Sequence, residues 1–164
     1  MNAGTLKIAT PGDRDVVMTR VFDAPRRLVF DAFTQPELLK RWLDAPGRTF
    51  AVCEIDLRSG GSFRYVWRGA GRKDVGMRGA FREVAAPARF VHTESWEDWD
   101  AGESLVTNTF EETAGRTTFT SAIVFPSREV RDAVMKAGLA HNATATYGKL
   151  AELISSLEAV ASSA

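Results

Sequence analysis

From Asp15 onward the spacing of apolar positions changes period three times. Val16-Val17-Met18-Thr19-Arg20-Val21-Phe22 is rich in β-branched residues and reads as a strand. Ala24-Pro25 then opens a helix, because proline suits the first helical position, where a backbone N–H has no partner anyway. Leu28, Val29, Ala32 and Phe33 follow at helical spacing, with Phe30 beside the stripe. Thr34-Gln35-Pro36 breaks the pattern, and Pro36 starts a second short helix through Leu38, Leu39 and Trp42. After Pro46-Gly47 the period becomes two. Phe50 to Leu57 reads as a strand, Ser59-Gly60-Gly61 as a tight turn, and the next strand alternates Phe63, Tyr65 and Trp67 against Ser62, Arg64 and Arg68. Further strands are predicted around 77–84, 88–97, 104–112 and 116–125. Short strands in series with tight turns imply a meandering antiparallel sheet, not parallel strands with helical crossovers.

Pro126 ends the sheet, and Ser127 followed by Glu129 has the form of a helix N-cap with an acidic first turn. From there one long helix is expected to about Val160. Its apolar stripe is Met135, Leu139, Ala143, Thr146, Leu150, Leu153 and Leu157, widened by Tyr147 and Ile154, with Gly138 and Gly148 as weak points. The class is therefore α+β: a curved antiparallel sheet around a long C-terminal helix, with two short helices after the first strand. Residues 1–14, with Gly4, Pro11 and Gly12 and no periodicity, are expected to form a flexible arm, and 15–160 a single domain. A curled sheet and a straight helix do not match everywhere, which leaves an apolar space between them. Trp42, Phe63, Tyr65, Trp67, Phe81 and Trp96 are the expected lining on one side. Met135, Leu139, Asn142 and Thr146 are expected on the helix side. The opposing reading is that the aromatics fill the space and leave no room for a ligand.

Lys plus Arg number 21 and Asp plus Glu number 21, so the formal net charge is zero and nothing marks a nucleic-acid partner. Cys53 is the single cysteine, which suits a reducing cytoplasm, and its place beside Val52 makes it a small hydrophobe. No Cys/His spacing suits a metal, no glycine loop suits a phosphate, and no cofactor is expected. No apolar run is long enough to span a membrane.

Val21-Phe22-Asp23-Ala24-Pro25, Asp31-Ala32-Phe33-Thr34, Pro36-Glu37-Leu38-Leu39 and Arg41-Trp42 together resemble the activator of heat-shock-protein-90 ATPase homologue-like family. So do Asp56 to Arg64, Met77 to Val84, Arg116-Thr117-Thr118 and Pro126 to Ala133, in the right order. The resemblance covers roughly Asp15 to Leu157. It implies membership of the START-like (SRPBCC) superfamily and its helix-grip fold around a deep cavity. Two departures stand out. Leu43-Asp44-Ala45-Pro46 follows Trp42 where members often carry a second aromatic and Gly-Pro, and Gly138-Leu139-Ala140-His141-Asn142 replaces a Gly-Met-Glu segment. The second exchanges a carboxylate for an imidazole and an amide. The family's co-chaperones also carry a separate N-terminal domain, so the resemblance by itself implies no chaperone activation.

Period two places Phe90, His92, Glu94 and Trp96 on one strand face. If that face points inward, His92 and Glu94 are candidates for proton transfer in an apolar pocket; the alternative is a structural pair or a solvated one. His141 borders the helix stripe and reads as a surface residue. Trp96 and Trp99 flank an acidic turn, and could line a cavity mouth or a homodimer contact. The leading expectation is a non-catalytic binder of a small hydrophobic or aromatic molecule. Its alternatives are a polyketide-cyclase-like enzyme using His92, Glu94 or Tyr65, and a co-chaperone-like interaction domain.

Overall fold

A computed structural model describes residues 5–163. Strand β1 (Lys7–Ala9) and β2 (Asp15–Phe22) are followed by helices α1 (Arg26–Thr34) and α2 (Pro36–Leu39). Six strands come next: β3 (Arg48–Ile55), β4 (Ser62–Gly69), β5 (Val75–Ala85), β6 (Arg89–Trp96), β7 (Ser104–Thr113) and β8 (Arg116–Val124). Helices α3 (Arg128–Lys136) and α4 (Leu139–Ser163) close the chain. The eight strands form one antiparallel sheet in the order β1-β2-β8-β7-β6-β5-β4-β3. The meander from β3 to β8 is thus completed by β2, which pairs with β8 from Asp15↔Val124 to Phe22↔Thr117. The register shifts between Phe50 and Val52 in β3 and between Phe81 and Glu83 in β5, and such bulges bend strands. This is the helix-grip arrangement, with the curved sheet holding the C-terminal helix.

Period two holds along β2, where Val16, Met18, Arg20 and Phe22 are buried in alternation. Pro36 stands at the start of α2, whose Glu37 lies in the first turn. Ser127 caps α3 as its sequence implies: its hydroxyl accepts from the Val130 N–H at 3.1 Å. The two short helices are fixed by polar contacts to backbone. Thr117 Oγ1 donates to the Ala24 carbonyl at 2.7 Å, and Trp42 Nε1 to the Ala32 carbonyl at 2.9 Å.

Two expectations need correction. The segment read as a loose arm contributes β1, whose Ile8 pairs with Met18; three residues are too few to show a period. Residues 1–4 of that arm lie outside the described residues. The single long helix is in fact two. Gly138, at φ 102°, takes a backbone conformation that L side chains rarely adopt, and it turns the chain between α3 and α4.

The break divides the core. Val16, Met18, Val106, Ile123 and Phe125 pack with Val130, Val134, Met135, Leu139 and Ala143 from α3 and the start of α4. A larger cluster joins α1, α2 and the sheet aromatics to Tyr147, Leu150, Leu153 and Ile154 of α4. Leu150 is fully buried there. Leu150→Ala is expected to lower stability by about 2–5 kcal/mol, the usual cost of a buried leucine cavity, measured by urea unfolding.

Candidate functional site

Between the sheet and α4 the two clusters leave a cavity of about 200 Å3. Its walls are mostly apolar: Leu39 and Trp42 from α2 and the turn after it, Ile55, Phe63 and Met77 from the sheet, and Tyr147 from α4. Phe33 stacks on Phe119 with ring centroids 4.4 Å apart, and Tyr147 meets both rings edge-on. These contacts fix the α4 end of the space.

One wall is polar. Glu94, His92, Asn108 and Ser121, from β6, β7 and β8, all reach the cavity. Asn108 Nδ2 lies 3.4 Å from the Phe90 carbonyl and 3.2 Å from His92 Nδ1. A carbonyl only accepts, so that atom of Asn108 is its amide nitrogen, and its second hydrogen is available to His92 Nδ1. The proton of a neutral His92 then sits on Nε2, which donates to Glu94 Oε2 at 3.1 Å. The ring is held on both sides: it stacks on Phe90 at 22° and meets the Phe63 edge at 88°. Asn108 orients His92, and His92 orients a carboxylate whose second oxygen is left to accept from a guest.

Two phenols add donors. Burial, reinforced by the charges of Cys53 and Glu94, holds the Tyr65 hydroxyl far above its ordinary range, and burial with Glu94 does the same for Tyr147. Both stay protonated at neutral pH, and neither finds a hydrogen-bond acceptor among the described residues.

Glycine at position 79 of β5 lets β6 come close enough to build this wall. A Cβ on Gly79 would fall 1.7 Å from the Thr93 carbonyl oxygen and 2.7 Å from the Phe63 ring, so only glycine fits. Thr93 in turn accepts from the Ala80 N–H at 3.0 Å, which satisfies the backbone beside the bulge.

Of the lining expected from sequence, the structure brings Trp42, Phe63, Tyr65 and Phe81 together around the cavity. His92 and Glu94 face it and also pair with each other, so both readings of that strand describe the same geometry. The remaining positions lie elsewhere. Trp67 is buried beyond the lining, next to Tyr65 along β4, packed on Phe50 with its Nε1 donating to the Leu43 carbonyl at 3.2 Å. Trp96 leans on Trp67 from outside and is 38% exposed. Met135 and Leu139 belong to the second core cluster, Asn142 is exposed and Thr146 half-buried outside the lining. The turn at Gly138 accounts for the helix-side corrections, because the stripe no longer runs along one axis and Tyr147 occupies the position facing the space. Asn108 and Ser121 were missed, although a signal exists. Each is a polar residue within an alternating buried row, Val106-Asn108-Phe110 and Phe119-Ser121-Ile123. His141 is exposed, as expected. No group of three His, Cys, Asp or Glu side chains suited to a metal occurs among the described residues.

The helix-grip architecture with an inner cavity defines the class, and relatives make it specific. The family model for activator of Hsp90 ATPase homolog 1-like proteins matches residues 23–155, and the chain belongs to this family. A Rhodobacter sphaeroides protein of known structure is 28% identical over 93% of this chain and 99% of its own, with a TM-score of 0.88. Protein Ms6760 from Mycobacterium smegmatis is 22% identical, over 94% and 99%, with a TM-score of 0.81. An HSP90 activator from Plasmodium falciparum is 22% identical over 79% of this chain and 92% of its own, at a TM-score of 0.56. No curated protein matches the sequence. Among the described residues no helix is long and apolar enough to cross a membrane.

Cys53 stands in β3, next to the Tyr65 strand, with its thiol pushed up to about 11, chiefly by burial. The thiolate is the reactive form, so alkylation of the folded protein by iodoacetamide at pH 8 should be far slower than of the urea-unfolded chain. Its rate should climb with pH towards an apparent pKa near 11.

Proposed function

We propose that the protein binds a small aromatic or hydrophobic molecule carrying one hydroxyl or similar donor, in the cavity between the sheet and α4. The supporting observation is the combination of an apolar space of about 200 Å3 with a single polar wall, where Glu94 is held by His92 and Asn108. An apolar cavity of roughly 150 Å3 accepts a benzene-sized guest, so this one suits one or two fused rings. Burial of the rings supplies affinity, and the free Glu94 oxygen selects the hydroxyl. A cytoplasmic location is part of this reading, supported by a lone, half-buried free thiol. The Plasmodium falciparum HSP90 activator lends only its fold, so no chaperone partner is carried over.

A second reading, an enzyme of polyketide-cyclase type, is favoured by the same dyad. The Glu94 carboxylate would take a proton from the acidic carbon between two carbonyls of a bound polyketone. The electron pair left on that carbon would form the new carbon–carbon bond, and the proton would pass to the resulting alkoxide. Exchange of the central hydrogens of acetylacetone in deuterated buffer separates the two. Exchange accelerated by the protein and abolished in Glu94→Gln supports turnover; a rate equal to that in buffer supports binding alone.

For the binding reading, isothermal titration should show 2-naphthol binding more tightly than naphthalene. A hydrogen bond to a charged group is worth about 1.5–3 kcal/mol, so Glu94→Ala should remove most of that difference. Met77→Trp, which fills the cavity, should abolish both interactions in a folded protein. Unchanged binding in Met77→Trp would place the ligand elsewhere.

A further inference from the structure

Asn108 in β7 and Ser121 in β8 are register partners, so their side chains leave one face of the sheet side by side, and both line the cavity. Asn108 is 4% exposed and Ser121 3%. Asn108 commits its amide hydrogens to the Phe90 carbonyl and His92 Nδ1, which leaves its Oδ1 without a donor. Ser121 Oγ has no hydrogen-bond partner among the described residues, and the two side chains do not bond each other. Among those residues the one unpartnered side-chain polar atom that is sealed off is Arg20 Nε. The free oxygens of Asn108 and Ser121 are therefore open to the cavity they line.

Both rows are otherwise apolar: Val106 and Phe110 flank Asn108, and Phe119 and Ile123 flank Ser121. Unpaired polar atoms in such a place lower stability, and an aliphatic residue would fill either position without that loss. A guest that pairs them recovers it. His92 separates this pair from Glu94, with Asn108 3.2 Å from its Nδ1 and Glu94 3.1 Å from its Nε2. The two contact points thus stand at opposite ends of one imidazole, and a fused ring system spans that length. Asn108 Oδ1 only accepts, whereas Ser121 Oγ both donates and accepts. A ligand hydroxyl satisfies both, donating to Asn108 and accepting from Ser121. A ketone or ether oxygen brings no hydrogen and would meet the Asn108 oxygen lone pair to lone pair.

We propose that Asn108 and Ser121 form a second polar contact, and that the ligand is an aromatic diol with one hydroxyl at Glu94 and the other between Asn108 and Ser121. This rests on the binding reading above and narrows its ligand from one hydroxyl to two, at opposite ends of the rings.

Isothermal titration of the full chain with 2-naphthol, 2,6-naphthalenediol and 2,7-naphthalenediol tests it. At least one diol should bind about tenfold more tightly than 2-naphthol, well above the roughly twofold gain that its symmetry alone gives. The matching fluoro-2-naphthol, whose fluorine fills the place of the second hydroxyl without a proton, should show no such gain. Ser121→Ala should cut the diol's advantage over 2-naphthol by about threefold or more, the loss of one neutral hydrogen bond. If 2-naphthol binds and neither diol exceeds the gain from symmetry, the proposal is overturned while the binding reading stands. It is also overturned if the fluoro compound gains as much as the diol, since volume alone then accounts for the effect. An undiminished advantage in folded Ser121→Ala overturns it too, and moves the second hydroxyl to a phenol such as Tyr65 or Tyr147. No binding by any of the compounds overturns the binding reading and this proposal together. Should Ser121→Ala not fold, the diol and fluoro comparison in the unmodified chain decides the matter alone.

Discussion

The seam where Phe33, Phe119, Trp42 and Tyr147 meet governs the rest of the molecule. Phe33 comes from α1, Phe119 from β8, Trp42 from the turn after α2 and Tyr147 from α4, so four separate pieces of chain share one set of ring contacts. Rings are rigid and cannot spread to follow a curved surface. By propping α4 off the sheet they leave a space between the two, while Leu150, Leu153 and Ile154 continue the packed core along the helix. A core of small flexible side chains could collapse into that space; this one holds it open.

The hydrogen-bonded polar groups inside the space lie on one wall and hold one another in series. Asn108 is anchored by a backbone carbonyl, His92 by Asn108 and two aromatic rings, and Glu94 by His92. Each group fixes the next, so the terminal carboxylate has few orientations left to lose when a guest arrives. Gly79 belongs to the same device, since its missing side chain is what lets β6 approach β5 at this height.

The chain order of strands and helices was legible because each element is long enough to repeat its period, as in β2, where four alternate residues are buried. β1 was not, having only three residues. The helix break was hidden for another reason: Met135 and Leu139 keep a spacing of four across Gly138, and periodicity carries no information about the φ of the residue between them. On the sheet side, alternation put Phe63 and Tyr65 on one face, but it does not show where along a strand a cavity ends, so Trp67 looked equivalent to them while packing beyond the lining on Phe50 and Trp96. On the helix side the stripe is apolar all along its length, and which part meets a void depends on where the sheet curves away. Arg20 was visible only as a cation in an apolar row, and the strand reading passed over it.

Helix α4 turns from its dry side to its wet one within a single residue. Tyr147 lines the cavity, and the very next residue, Gly148, lines an open groove on the outer surface with Ser155 and Ser156. A side chain added at Gly148 would meet nothing within 4 Å. A reporter group attached there would therefore stand one residue from the cavity wall without crowding it.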